Sequence, residues 1–244
     1  MVFKRKDNRK QDEARPITAK VGVIDNAKGS AYFKIGDTEA YAAVYGPRDI
    51  YPRFLKNPQK GLLRCHYNML PFSGMGDRVR PGPSRRSKEI SMVTNKAFEP
   101  VVMLEKFPNS GVDVYIELTE TDAGSRCAGI CAASMALADA GIPMKDLVVA
   151  VAMGTIGKEV LVDLDYSEEA FDGEEVADIP FAVIPRTGEV SLLQMDGIIS
   201  KKLMDEVLKK VMPAVEKIHK IQVDAIKAKY GVKKWYYQKN SENK

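Results

Sequence analysis

Thr119–Pro143 reads TETDAGSRCAGICAASMALADAGIP, and its character changes at Gly124-Ser125-Arg126. Before that turn, Val112–Leu118 (VDVYIEL) alternates in the manner of a strand. After it, small apolar residues run without a charge between Arg126 and Asp139, until Gly141 and Pro143 end the pattern. A helix with no polar face has to be covered on all sides, so this one predicts burial between layers. Its start would aim unsatisfied backbone N–H groups, the Ser125 hydroxyl and the Arg126 guanidinium at one point, which suits a phosphate. From these residues alone, an ordinary helix start with a capping serine and a solvated arginine stays open. No Gly-x-x-x-x-Gly-Lys pattern marks a nucleotide loop.

Upstream, strand-like runs Ile17–Ile24, Ser30–Ile35 and Thr38–Val44 are joined by Asp25–Gly29 and Gly36-Asp37, which read as hairpin turns. Gly46–Gly61 reads as a surface loop, Leu62–Leu70 as a strand, and Gly74–Pro83 as a second loop. That loop leads into Ser84-Arg85-Arg86-Ser87 and a helix whose stripe is Ile90, Val93, Ala97, Val101 and Leu104. Downstream, Leu147–Thr155, Val160–Leu164, Ile179–Ile184 and Val190–Met195 read as strands. Ser200 to about Lys229 reads as a long amphipathic helix that Pro213 should kink or split. Strands in runs, separated by helices, predict an α+β sandwich with mixed sheets, the helices packed between and around them. Residues 1–14 are expected to form a mobile basic arm, and 231–244 a flexible tail.

At 244 residues and 45% hydrophobic content, the chain can bury a sizeable core. No apolar run is long enough to span a membrane, and MVFKRKDNRK is charged where a signal peptide turns apolar, so a soluble, cytoplasmic protein is expected. Cys65, Cys127 and Cys131 have no zinc-like spacing and read as reduced, buried small hydrophobes. Charge is segregated along the chain. Arg48–Lys88 carries ten Lys or Arg against two Asp, whereas Glu159–Asp178 carries nine acids and no base. The first segment would attract a polyanion, and the second could hold a metal or handle a proton; two solvated surfaces are the alternative.

Adjacent Arg85 and Arg86 after a glycine-rich loop can fork phosphate oxygens, as lysine cannot. Arg64 and His66 alternate on a strand and would face one side, Tyr67 and Met69 the other. Asp178 directly precedes an apolar strand and is the acid nearest the core, placed to hold Mg²⁺ or to protonate a leaving oxygen. Glu168, Glu169, Glu174 and Glu175 read mostly as solvated loop charges.

Taken together, Arg15-Pro16-Ile17, Gly29–Tyr32, Ala42–Arg48, Tyr67–Ser73, Pro83–Ser91, Asp122–Arg126, Ala136–Met144 and Ala177–Pro180 run in order through nearly the whole chain. In this they closely resemble the RNase PH family, most specifically the catalytic RNase PH-like subunits of archaeal exosomes. The resemblance implies the RNase PH-like fold (ribosomal protein S5 domain 2-like) over 15–230, in two pseudo-repeated halves, roughly 15–145 and 146–230. It implies phosphate bound at Gly124, Ser125 and Arg126, and RNA held by Arg64, His66, Arg85 and Arg86. Asp172 and Asp178 keep the six-residue spacing of the family's two active-site aspartates, implying general acids or tentative Mg²⁺ ligands. The family strand usually reads Arg-x-Arg-Tyr, where this chain has Arg64-Cys65-His66-Tyr67. A histidine carries its charge only part of the time near neutral pH, so a weaker or pH-dependent grip on RNA is expected there.

The implied activity is phosphate-dependent 3′-to-5′ exoribonuclease action that releases nucleoside diphosphates and can run backwards to add tails. Inorganic phosphate would be the co-substrate, with Mg²⁺ and no organic cofactor. The implied assembly is a hexameric ring, a trimer of heterodimers with a related non-catalytic subunit, under cap proteins carrying S1 or KH-type domains that feed in single-stranded RNA. The alternatives are a stand-alone homohexameric RNase PH trimming tRNA 3′ ends, a non-catalytic RNA-binding ring subunit, and an unrelated phosphotransferase.

Overall fold

The computed structural model describes residues 4–231. Its first half is a five-stranded sheet built from β1 (Ile17–Val21), β2 (Gly29–Ile35), β3 (Thr38–Asp49), β4 (Leu62–Met69) and β5 (Ser110–Glu120), in the order β1-β2-β3-β5-β4. All pairs are antiparallel except β4 and β5, which are parallel and joined by a crossover through α1 (Arg85–Phe98). The second half is an antiparallel sheet of β6 (Val149–Ile156), β7 (Glu159–Val162), β8 (Val176–Ile184) and β9 (Glu189–Leu193), in the order β7-β6-β8-β9. The α+β reading therefore holds, with the first sheet mixed, as expected, and the second wholly antiparallel.

Between the sheets lies α2 (Ser125–Asp139), with 13 of its 15 residues buried. Ala128, Ile130, Cys131, Ala132, Ala133, Met135, Ala136 and Leu137 have no exposure at all, the burial predicted by a helix lacking a polar face. Cys131 Sγ takes part in hydrogen bonding with the Ala150 backbone of β6, while Gly129 lies against Ile116 of β5. All three cysteines are free and buried.

Several boundaries differ from expectation. β3 runs on to Asp49, because Arg48 and Asp49 still pair with Gly111 and Ser110 of β5. α1 ends at Phe98, before Pro100, whose missing N–H and ring oppose helix continuation; Val101 reaches the core from the turn beyond. α4 (Lys201–Tyr230) is neither split nor interrupted at Pro213. Pro213 and Lys209 lie on the exposed side, so the carbonyl that Pro213 leaves unpaired faces water.

The largest departure is at the N-terminus. Residues 4–14 do not form a free arm: they pack against the end of β7 and the single turn α3 (Tyr166–Glu169). Val162 N–H donates to Gln11 O at 2.7 Å, and Arg5 is 2% exposed. Arg5 Nε and Nη2 reach the two Glu168 carboxylate oxygens at 2.7 Å each. Glu168, expected as a solvated charge, is consequently buried. Residues 1–3 and most of the expected tail, 232–244, lie outside the described residues.

Candidate active site

The head of α2 opens into a cleft of about 910 Å³ lined by both halves of the chain. Gly124 is the N-cap, in the left-handed region at φ 64°, and offers no side chain to cap the first turn. The N–H groups of that turn thus face the cleft with the positive end of the helix dipole. Ser125 is buried, and its Oγ accepts the Tyr67 hydroxyl at 2.9 Å. Arg126 Nη1 donates to Gln194 Oε1 at 2.5 Å, and Gln194 Nε2 donates to Glu89 Oε1 at 3.1 Å. Those bonds fix the guanidinium over the helix start.

The turn itself is braced from behind. Thr38 Oγ1 donates to Ala123 O at 2.7 Å and accepts Asp122 N–H at 3.1 Å. Arg15, almost fully buried, joins Asp122 and Asp163 at 2.7 Å each and donates to Ala123 O at 3.2 Å. Arg15 counts as a structural brace that ties the two halves together under Gly124.

The acidic wall comes from the second half. Asp178 lines the cleft, and its Oδ1 is buried with no hydrogen-bond partner among the described residues. Burial raises its pKa above the ordinary carboxylate range and the Asp196 charge adds to this, against the pull of Arg126 and Arg86. Glu169, the last residue of α3, faces the same cleft. Burial first, then the charge of Asp178, pushes its carboxyl up to about 7, while Arg15, Arg86 and the Gly124 N–H act in the opposite sense.

The structure therefore brings together Gly124, Ser125, Arg126, Arg86 and Asp178. It does not bring Asp172, which is exposed in the loop after α3 and does not line the cleft; Glu169 lines it beside Asp178 instead, within electrostatic reach of Arg86. The linear spacing misleads because α3 folds the chain back one turn earlier. Asp165 caps that turn, accepting Glu168 N–H at 2.9 Å, and Glu168 completes a capping box; Asp-x-x-Glu at 165–168 was the legible signal for it. Arg85 is exposed outside the cleft. Arg64 and His66 lie on the other face of the first sheet. Arg64 joins Arg48 on the buried Asp113, and His66 stacks on Tyr115 with ring centroids 4.8 Å apart.

Among the described residues no cluster of three His, Cys, Asp or Glu is set to cage a metal. A cation held by one or two carboxylates and completed by substrate oxygens still fits, since the unpartnered Asp178 oxygen and Glu169 share a wall of the cleft. Asp172 does not fit as a ligand beside Asp178.

Comparison with known proteins agrees with this architecture. The model of the 3′ exoribonuclease family, domain 1, matches residues 13–143, and that of domain 2 matches 146–210. The chain is 48% identical to the exosome complex component Rrp41 of Pyrococcus furiosus over 227 residues, covering 93% of this chain and 89% of that one. It is 45% identical to the Rrp41 of Methanopyrus kandleri, over 93% of each chain. Among solved structures, rice Rrp46 superposes with a TM-score of 0.79 at 24% identity, covering 91% of this chain and all of that one. A chain of the Archaeoglobus fulgidus exosome with RNA bound to the active site gives 0.74 at 26% identity, covering 89% and 92%. With both domains matched in order across most of its length, the chain belongs to the RNase PH family of 3′ exoribonucleases.

Proposed function

We propose that this protein is the catalytic subunit of an archaeal-type exosome ring, removing nucleotides from RNA 3′ ends with phosphate in place of water. One observation carries the reading: an uncapped helix start with Ser125 and Arg126 faces two protonatable carboxylates, Asp178 and Glu169, across a single cleft. Inorganic phosphate sits against the first turn of α2, held by its N–H groups, the Ser125 hydroxyl and Arg126. Arg86 holds the RNA backbone so that the last phosphodiester meets the bound phosphate. A phosphate oxygen forms a bond to that phosphorus as the bond to the 3′ oxygen breaks, giving a nucleoside 5′-diphosphate and an RNA one residue shorter. The departing 3′ oxygen takes its proton from Glu169, whose carboxyl is pushed up to about 7, with burial raising the neighbouring Asp178 in the same direction. Positioning and charge stabilisation supply most of the rate. Mg²⁺, held by Asp178 with Glu169 left to carry the proton, would supply further neutralisation of the phosphate oxygens.

Arg48, Arg64 and His66 offer RNA a second, outer contact surface, and Arg85 a contact at the cleft rim. In this reading the chain alternates with a related subunit lacking the catalytic residues, three copies of each, beneath S1 or KH-type cap proteins that deliver single-stranded RNA in the cytoplasm. No helix among the described residues is long and apolar enough to cross a membrane.

The test is labelled poly(A) incubated with the protein, alone and with its partner subunit, with and without phosphate. ADP released only with phosphate is expected, and ADP supplied without phosphate should be built into tails. AMP would indicate hydrolysis and overturn the phosphate assignment, while no product under any condition would favour a scaffolding role.

A further inference from the structure

α3 holds one wall of the cleft, yet it is only four residues long. One turn of helix does not sustain itself, because nucleation costs more than a single hydrogen bond returns. Its orientation must come from outside. Asp165 caps it, and Tyr166 N–H donates to Asp122 Oδ1 at 3.1 Å, two residues before Gly124. The Gly124 N–H bonds Glu169 itself, Arg9 Nη2 stands 3.8 Å from Glu168 and 4.0 Å from Asp165, and the shortest hold on the carboxylate is Arg5, whose guanidinium grips Glu168, the residue just before Glu169, from 163 positions away.

That grip uses the whole arginine fork. Besides the two bonds to Glu168, Nη2 donates to Asp163 O at 2.6 Å and Nη1 to Val162 O at 2.9 Å. Nη1 also reaches Lys10 O at 3.3 Å and Glu13 O at 3.2 Å, so the N-terminal segment is wrapped around its own arginine. Arg9 adds a bond to Asp163 O at 3.0 Å. A buried ion pair is poor evidence of stabilisation, since desolvation offsets much of its attraction. A planar fork engaged on two carboxylate oxygens and four backbone carbonyls does fix direction, and lysine cannot reproduce it.

We propose that Arg5, acting through Glu168, is a positioning residue for the active site: the docked segment 4–14 locks α3 so that Glu169 faces the Gly124 turn. The inference rests on the phosphorolytic reading of the cleft only for its kinetic consequence; the positioning of α3 can be measured without it.

The experiment compares parent, Arg5→Ala, Arg5→Lys and Glu168→Gln proteins, each assembled with the partner subunit. Phosphorolysis of poly(A) gives kcat and the KM for phosphate, and amide hydrogen exchange reports residues 163–170 and α2 separately. The expected result is a loss of kcat of about tenfold or more with KM for phosphate changed by less than about threefold. Protection should be lost at 163–170 and kept in α2. Arg5→Lys, which retains the charge but not the fork, should behave like Arg5→Ala and decides the matter if the alanine variant does not fold. Parental kcat in Arg5→Ala and Arg5→Lys would overturn the proposal. So would protection lost evenly across the fold, since that is a merely structural role. If the parent ring yields no nucleoside diphosphate, the functional reading fails and exchange alone decides: local loss at 163–170 sustains the positioning role, and unchanged protection there ends it.

Discussion

The Tyr67 hydroxyl, on β4, donates to Ser125 Oγ at the head of α2 across 2.9 Å. Both groups are buried, so the bond occupies one lone pair of the serine and leaves its own proton directed at whatever binds the helix start. Tyr67→Phe should raise the KM for phosphate by about fivefold, the equivalent of one ordinary hydrogen bond, and lower stability by about 1 kcal/mol. Phosphate titration of initial rates, together with a denaturant melt, checks both numbers; a parental KM would remove Tyr67 from the site.

Glu169 sets a pH dependence of stability. Its carboxyl is pushed up to about 7 from 4.5, with burial the first cause. A raised folded-state pKa means that the contribution to stability is complete below the unfolded value and is lost as pH climbs through the folded one. Glu169→Gln should therefore match the parent near pH 4 and exceed it at pH 8, by on the order of 1–2 kcal/mol, while losing activity. Melts at the two pH values test the sign, and a variant less stable than the parent at pH 8 would contradict it.

Asp113 works in the opposite direction. Burial alone would raise its pKa, but the bonds from Arg64 and Arg48 outweigh burial and hold the carboxyl below the ordinary range. Its stabilisation is present above the unfolded pKa and is lost as pH falls through the folded one. Asp113→Asn should cost about 2 kcal/mol at pH 7 and less in acid, where the parent loses the same interaction. It also releases two arginines on the outer sheet face, so nonspecific RNA affinity at low salt should rise; filter binding measures that.

Gly124→Ala separates backbone from space. A methyl there would sit 3.6 Å from both Ala152 Cβ and Arg15 Nη2, ordinary contact, whereas φ of 64° is disfavoured for alanine. A loss of about 1 kcal/mol in stability is expected, with weaker phosphate binding as the turn relaxes. Calorimetry with phosphate would register the second effect independently of turnover.

The parts legible in the sequence were those with short-range physical causes. Residues 127–138 announced a buried helix because no charge interrupts them, and Asp178 stood out as the acid abutting an apolar strand. Glu169 was hidden among nine acids, since nothing in linear spacing says which of them turns inward. The deciding event is a one-turn helix whose outer anchor, Arg5, is 163 residues distant. For the same reason a segment rich in Lys and Arg read as a mobile arm: its partners are backbone carbonyls and a carboxylate of the other half. Arg64 and His66 were placed on one strand face as expected, but only the packing of α2 against the opposite face reveals that they point away from the cleft.

The small side chains of α2 act as a spacer between the sheets. At Gly129 an added methyl would lie 3.0 Å from Ile116 Cγ2 and 3.6 Å from the Tyr67 ring, the same ring whose hydroxyl holds Ser125. The thickness of one helix thus sets both how close the two sheets approach and where the serine points one turn away. A substitution that widens the helix at Gly129 would act as a wedge, felt at Ser125 through the Tyr67 ring.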